Sequence, residues 1–291
     1  MKWDGRSKGG KSGYTIFIWL LKAGLTPAYI LLTFVALYYC VAERRKSAVA
    51  YSFYRKHIGF GVLRSLISVY RNYYLFGQCL IDRVAVMTAN PDFRITFTGE
   101  NHLTDMAKQG KGGFLVGAHL GNWEIAGFFL YRINVPVNIV IYDNEYEDIK
   151  ECLKSAGIKK YAYKIISLKD DMSHLYEITE ALSRGELVCL HADRHMDNSK
   201  LLYHTFLNEP APFSQSIFRL CTMFDIPVTF VYAFRLKFRR YHLHATKPRI
   251  YSGTKEKKLE EFADDYVEEL EKNVVRYPLH WFNFFDFWKR Q

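Results

Sequence analysis

Between residues 93 and 235 short apolar runs alternate with longer amphipathic ones, and this alternation constrains the fold more than any other feature. Runs at 93–98, 114–118, 137–142, 164–168, 187–192 and 227–234 have strand length and are rich in β-branched and aromatic residues. Helical stretches fall near 122–131, 145–156, 171–184 and 214–224, with Gly157 and Gly185 where helices commonly stop. Strands joined by helix-length crossovers pair in parallel. The expected fold is therefore α/β, a mainly parallel sheet flanked by helices. Residues 44–90 read as helical, closed by Pro91. A last helix is marked by Thr254 as N-cap, the stripe Leu259, Phe262, Tyr266, Leu270 and Val274, and Pro278 beyond its end.

Ahead of this region, residues 14–41 are almost wholly apolar, broken by Lys22 and Pro27. The uninterrupted part, 28–41, is shorter than the ~20 residues that cross a bilayer, and adding 16–21 reaches that length with Lys22 as the costly residue. Basic residues flank both ends (Lys2, Arg6, Lys8, Lys11; Arg44, Arg45, Lys46), so orientation stays open and interfacial insertion fits as well as a span. No small-x-small cleavage site follows, which argues against a removed signal peptide. The expected division is a basic N-terminus and membrane anchor at 1–43 and one α/β domain at 44–291.

Forty Lys+Arg against thirty Asp+Glu give a net charge of +10, which favours an anionic partner. The basic residues are dispersed, and no zinc-finger or RNA-binding signature accompanies them, so nucleic acid is not expected. An anionic membrane surface or an acidic carrier protein fits better. The five cysteines, at 40, 79, 152, 189 and 221, are odd in number and include no C-x-x-C pair. They suggest reduced thiols rather than disulfides or a thiolate metal site.

The sharpest local feature is Gly117-Ala118-His119-Leu120-Gly121-Asn122-Trp123-Glu124, which follows a strand and opens a helix. In open α/β sheets ligands sit at the C-terminal ends of strands, beside helix N-termini. On a continuous helix His119 and Glu124 would diverge by about 140°. A turn between them lets the carboxylate fold back on the imidazole, which suits a general base with an orienting carboxylate. Asn122 and nearby backbone N–H groups are the expected oxyanion donors.

The string His119-Leu120-Gly121-Asn122-Trp123-Glu124 closely resembles the H-x-G-N-W-E motif of the late acyltransferases of lipid A biosynthesis (lauroyl and myristoyl transferase type). These belong to the wider lysophospholipid acyltransferase superfamily, whose common form is H-x-x-x-x-D. The resemblance extends to the hydrophobic N-terminal segment, the strand–helix order to about residue 235, and an ending of Pro278, Trp281 and Phe282. It implies His119 and Glu124 as the catalytic pair, with acyl transfer from a thioester on acyl carrier protein or coenzyme A to a lipid hydroxyl. It also implies no acyl-enzyme, no metal and no cofactor, and an acyltransferase domain at the bacterial inner membrane, facing the cytoplasm. The cluster Arg235, Lys237, Arg239 and Arg240 is the expected basic rim for an acidic carrier, with anionic lipid headgroups as the competing partner.

A second segment ends in His191-Ala192-Asp193-Arg194-His195. The family's Asp-containing loop, typically Asp-Gln, lies here beside the active site. Asp193 and Arg194 are therefore expected substrate-binding residues, with the Arg194 guanidinium suited to a phosphate or a carbonyl oxygen. Arg219, on the helix after 208–214, is a weaker match for a substrate contact. His191, Asp193 and His195 alternate and would share one face of a strand. That leaves a rival reading, a membrane-attached metallohydrolase using His119, Glu124, His191, Asp193 and His195. The aromatic cluster from Trp281 to Trp288 is expected to pack back on the domain, or else to form an interfacial belt.

Overall fold

The computed structural model describes residues 24–88, 93–129, 135–142, 163–168, 173–195 and 200–289. The expected helix at 145–156, Gly157, Pro91 and residues 14–23 lie outside them.

Helix α1 (Leu25–Ala42) carries Pro27 in its first turn, where a missing N–H costs nothing. It is the one helix among the described residues long and apolar enough to cross a membrane, by length and composition. One stripe, Leu25, Ala28, Tyr29, Leu32 and Ala36, is buried. That stripe lies along α3 (Val62–Thr88), a 27-residue helix. Leu32 seats directly on Gly77, where an added Cβ would come within 2.3 Å of it. The helical region expected at 44–90 is broken in the structure. α2 (Arg44–Ser52) runs into a π-helical turn, Phe53–His57, and Gly59 at φ 75° redirects the chain before α3 begins.

The elements of the α/β region follow in chain order: β1 (Arg94–Thr98), α4 (Glu100–Gln109), β2 (Gly113–Gly117), α5 (Trp123–Phe129), β3 (Val137–Tyr142) and β4 (Lys164–Leu168). Then come α6 (Ser173–Ser183), β5 (Leu187–His191), β6 (Leu201–Phe206), β7 (Glu209–Ser214), α7 (Gln215–Thr222), β8 (Val228–Lys237), β9 (Arg240–Ala245) and α8 (Lys255–Arg276). The seven-stranded sheet has the order β1-β9-β8-β2-β5-β3-β4, and every neighbouring pair is parallel except β8–β9. Gly185, at φ 75°, ends α6 as expected, and Thr254 caps α8 by accepting from Lys257 N–H at 3.3 Å.

Three elements differ from the expectation. The stretch 208–214 is strand β7, paired antiparallel with β6 across a two-residue turn at Leu207 and Asn208, both at positive φ. Its Pro210 and Pro212 argue against a strand in a large sheet, but a separate two-stranded ribbon leaves free edges that tolerate them. β9 returns from β8 through a turn with Arg239 at φ 53°. α4 is preceded by Gly99, which offers no side-chain cap to betray it.

The sheet packs on both faces. On one side Val188, Leu190 and Phe230 meet Phe218 of α7 and Phe262 and Tyr266 of α8. The C-terminal aromatics fold back there as well, with Trp281 edge-on to Phe206 at 5.5 Å and to Phe287 at 5.3 Å. On the other side Leu115, Ile139, Cys189 and Ala245 meet Leu103 and Met106 of α4.

One buried carboxylate joins α1, α3 and the sheet. Asp82 of α3 is fully buried and accepts from Arg235 Nε at 2.8 Å, from Tyr241 Oη at 2.5 Å and from the Tyr29 hydroxyl. Arg235 is thus a core ion pair and not part of an exposed basic rim. Removing one member of a buried pair strands a charge. Arg235→Met should cost ~3–5 kcal/mol in denaturant unfolding, whereas Asp82→Leu with Arg235→Met should cost distinctly less. Additive losses in that double-mutant cycle would refute the pairing.

Candidate active site

β2 is buried throughout and delivers the chain into the turn Ala118–Asn122 at its C-terminal end. That turn is clasped from two sides. Asn122 N–H donates to Ala233 O of β8 at 2.7 Å, and Gly121 N–H donates to His280 O at 2.9 Å. Phe282 N–H in turn donates to His119 O at 3.0 Å. Gly121 sits at φ 84°, and a Cβ there would lie 2.2 Å from Ala233 O, so only glycine fits.

His119 therefore projects from a fixed backbone. Its Nδ1 lies 2.8 Å from Asp193 Oδ1, and its own backbone N–H donates to Asp193 Oδ2 at 3.0 Å. Trp281 Nε1–H donates to the same oxygen at 3.3 Å. The His119 side chain is 24% exposed and that of Asp193 only 2%, so the imidazole faces outward from a buried carboxylate. Burial pushes the Asp193 carboxyl up, but the charge and hydrogen bond of His119, with Arg194, outweigh it and hold it below the usual carboxylate range. An ionised carboxylate on Nδ1 keeps the proton there and leaves Nε2 as the base.

Among the described residues the partner on Nδ1 is thus Asp193. Glu124 stands in the first turn of α5, and its side chain lies outside the described residues. Asp193 had been expected to hold substrate; its oxygens are instead taken up by His119 and Trp281. Asn122 is a scaffold residue. Its amide donates to Cys79 O and Tyr241 Oη, both at 3.1 Å, and its Oδ1 accepts from Ile125 N–H. Its side chain has no donor left for an oxyanion. Arg219 is exposed on α7, which packs on the opposite face of the sheet from α5, and the structure does not bring it to His119. Arg194 is half-buried and makes no hydrogen bond or ion pair among the described residues, while its charge is felt at Asp193 and His191.

His191 pairs with Gly117 in register, and its ring centre lies 4.8 Å from that of His119. Its buried Nε2 has no hydrogen-bond partner among the described residues. Burial, and then the neighbouring His119, push its pKa from 6.5 down to about 3. The ring is neutral. β5 ends at His191, so the alternation that would align His191, Asp193 and His195 on one strand face fails, and Asp193 turns to His119. Among the described residues no three His, Cys, Asp or Glu side chains form a metal-binding group, which leaves the metallohydrolase reading without support.

Beside this cluster the sheet face under α4 and α5 opens into a pocket of about 730 Å³, counted out to its mouth. Strand residues form its floor, among them Leu115 and Gly117 of β2, Cys189 and His191 of β5, and Val231 and Ala233 of β8. Trp123, Ala126 and Gly127 of α5 close it from above. Its walls are overwhelmingly apolar, as in sites that take an apolar ligand.

Residues 69–290 match the family model described as bacterial lipid A biosynthesis acyltransferase. The chain belongs to that family. The match takes in the turn, Asp193, the pocket strands and Trp281, so the protein is an acyltransferase and the site is read as such. No individually curated protein matches the chain.

Two outcomes are expected of this acyltransferase. Asp193→Asn should lower kcat by ~10²–10⁴-fold with the fold retained, because the amide no longer stabilises the imidazolium; an unchanged kcat would remove Asp193 from the site. For His191 the folded pKa lies below the unfolded one. Between about 6.5 and about 3 the unfolded chain binds a proton that the native state refuses, so stability falls as pH drops through that window. His191→Leu should flatten this acid-side loss in denaturant midpoints measured against pH, and an unaltered slope would contradict it.

Proposed function

We propose that the acyltransferase moves a fatty acyl group from a thioester, on acyl carrier protein or coenzyme A, to a hydroxyl of a membrane lipid of the lipid A type. The observation that carries this reading is the partly exposed His119 imidazole, held at Nδ1 by buried Asp193 and standing beside an apolar pocket of acyl-chain character. The family supports the reaction class.

In this scheme His119 Nε2 takes the proton of the acceptor hydroxyl as its oxygen attacks the thioester carbonyl carbon. The carbonyl electron pair moves to oxygen and returns as the C–S bond breaks. The departing thiolate then takes the proton from the imidazolium, leaving an ester and a thiol. Asp193 stabilises the imidazolium between these steps. Arg194 is assigned to an anionic oxygen, either of the acceptor or of the tetrahedral intermediate, since its charge falls on the site without a described partner. Glu124 stays in the scheme as the motif's own carboxylate, with a test separate from that of Asp193. Nothing in these steps calls on a metal or other cofactor.

The test is turnover of purified protein in detergent with an acyl-carrier thioester and a lipid A precursor, read by product mass. His119→Ala should abolish the acylated product with the melting temperature unchanged, and Glu124→Gln should lower kcat by ~10–10⁴-fold. Normal turnover by His119→Ala would sink the mechanism. In the same assay Ala126→Phe, which fills the pocket roof, should shift preference to shorter acyl chains. An unchanged chain-length profile would place the acyl group elsewhere.

A further inference from the structure

The buried stripe of α1 accounts for one side of that helix. Its other side, including Ile30, Phe34, Leu37, Tyr38 and Val41, is 54–66% exposed. A second apolar group stands far away in sequence. In the β8–β9 turn Leu236 is 47% and Phe238 50% exposed, on a segment that otherwise has every reason to be polar. The turn reaches α1 at the helix's buried stripe, where the Phe238 ring lies edge-on to Tyr29 with centroids 5.7 Å apart.

Basic residues surround this contact. Lys237 and Arg240 are exposed, and the Arg239 guanidinium sits 5.1 Å over the Phe238 ring. At the other end of α1, Arg44, Arg45 and Lys46 are exposed. Apolar side chains ringed by cations match a layer that is anionic at its surface and hydrocarbon just beneath. An acidic protein would satisfy the cations but not require Leu236 and Phe238 beside a wholly apolar helix face.

The packing also fixes how α1 can meet such a layer. Along its length it is held to α3, from Tyr29 on Asp82 to the Tyr70 hydroxyl donating to Thr33 O. α3 in turn carries the domain. Asn72 donates to Leu279 O at 2.8 Å, and Cys79 O accepts from Asn122. A bilayer crossing by α1 would drag this polar α/β body into hydrocarbon, where its charges and loop backbone have no partners.

We propose that α1 lies in the plane of an anionic phospholipid membrane, exposed face down, and that the β8–β9 turn is a second insertion point with Leu236 and Phe238 in the acyl boundary and Lys237, Arg239 and Arg240 on headgroup phosphates. The proposal stands on these surface residues and not on the acyl-transfer reading, so its test involves no turnover. In the full chain, Leu236→Cys and the control Tyr176→Cys, exposed on α6, carry an environment-sensitive fluorophore, with the wild-type protein labelled as background. Vesicles of phosphatidylcholine with phosphatidylglycerol should raise and blue-shift the emission at 236 several-fold and leave 176 unchanged. Lys237→Glu with Arg240→Glu, both solvent-facing, should weaken the response at 236. Labels at Ile30→Cys and Val41→Cys, about 16 Å apart along the helix, should be quenched at equal depth by spin-labelled lipids. A silent 236 on vesicle-bound protein would overturn the proposal, as would depths differing by the full ~16 Å of a spanning helix. So would a response at 236 to an acidic acyl carrier protein and not to vesicles.

Discussion

The carboxylate of Asp82 is the point on which the rest of the structure hangs. A fully buried charge is tolerable only when it is paired and every oxygen is engaged. Here the partners come from α1 (Tyr29), β8 (Arg235) and β9 (Tyr241), so satisfying one charge brings three separate elements onto α3. Tyr241 passes the constraint on, for its hydroxyl accepts from Asn122 at the base of the catalytic turn. The apolar helix, strands β8 and β9 and the turn that carries His119 are thereby set relative to one another by a single hydrogen-bonded group.

A second buried carboxylate performs the local task. Asp193 receives His119 by both ring and backbone and receives Trp281 from a segment almost ninety residues further on. Fixing the imidazole from two directions limits its rotation, and burying the carboxylate strengthens the pairing by excluding water. The exposed side of His119 is left for chemistry. Next to it the sheet supplies the pocket at no extra cost, since small residues at 117 and 233 on the lining face leave space that large ones would fill.

Much of the fold was legible from periodicity. The six expected strands all appear, three of the four expected inter-strand helices fall on described residues and appear there, and α8 begins at its capping Thr254. What escaped has identifiable causes. β7 contains two prolines that a lone ribbon can accommodate, α4 follows a glycine without a capping side chain, and β9, with Arg240, His242 and His244 at alternate positions, is too polar to stand out between turns. Arg235 looked like one more cation in a basic run, because nothing in the run reveals which member points inward.

His119, its place between a strand and a helix, and the reaction class follow from the sequence, because a contiguous motif fixes a local turn and the turn fixes the direction of one side chain. The partner of that side chain does not follow. Asp193, 74 residues further along the chain, comes to His119 because β2 and β5 are adjacent in the sheet and their ends converge. Asn122, a natural donor on paper, is spent on Cys79 and Tyr241, and Trp281 enters the site only because the C-terminal segment folds beneath the turn. Such assignments depend on which remote groups compete for each hydrogen bond, and that competition is decided only when the elements pack.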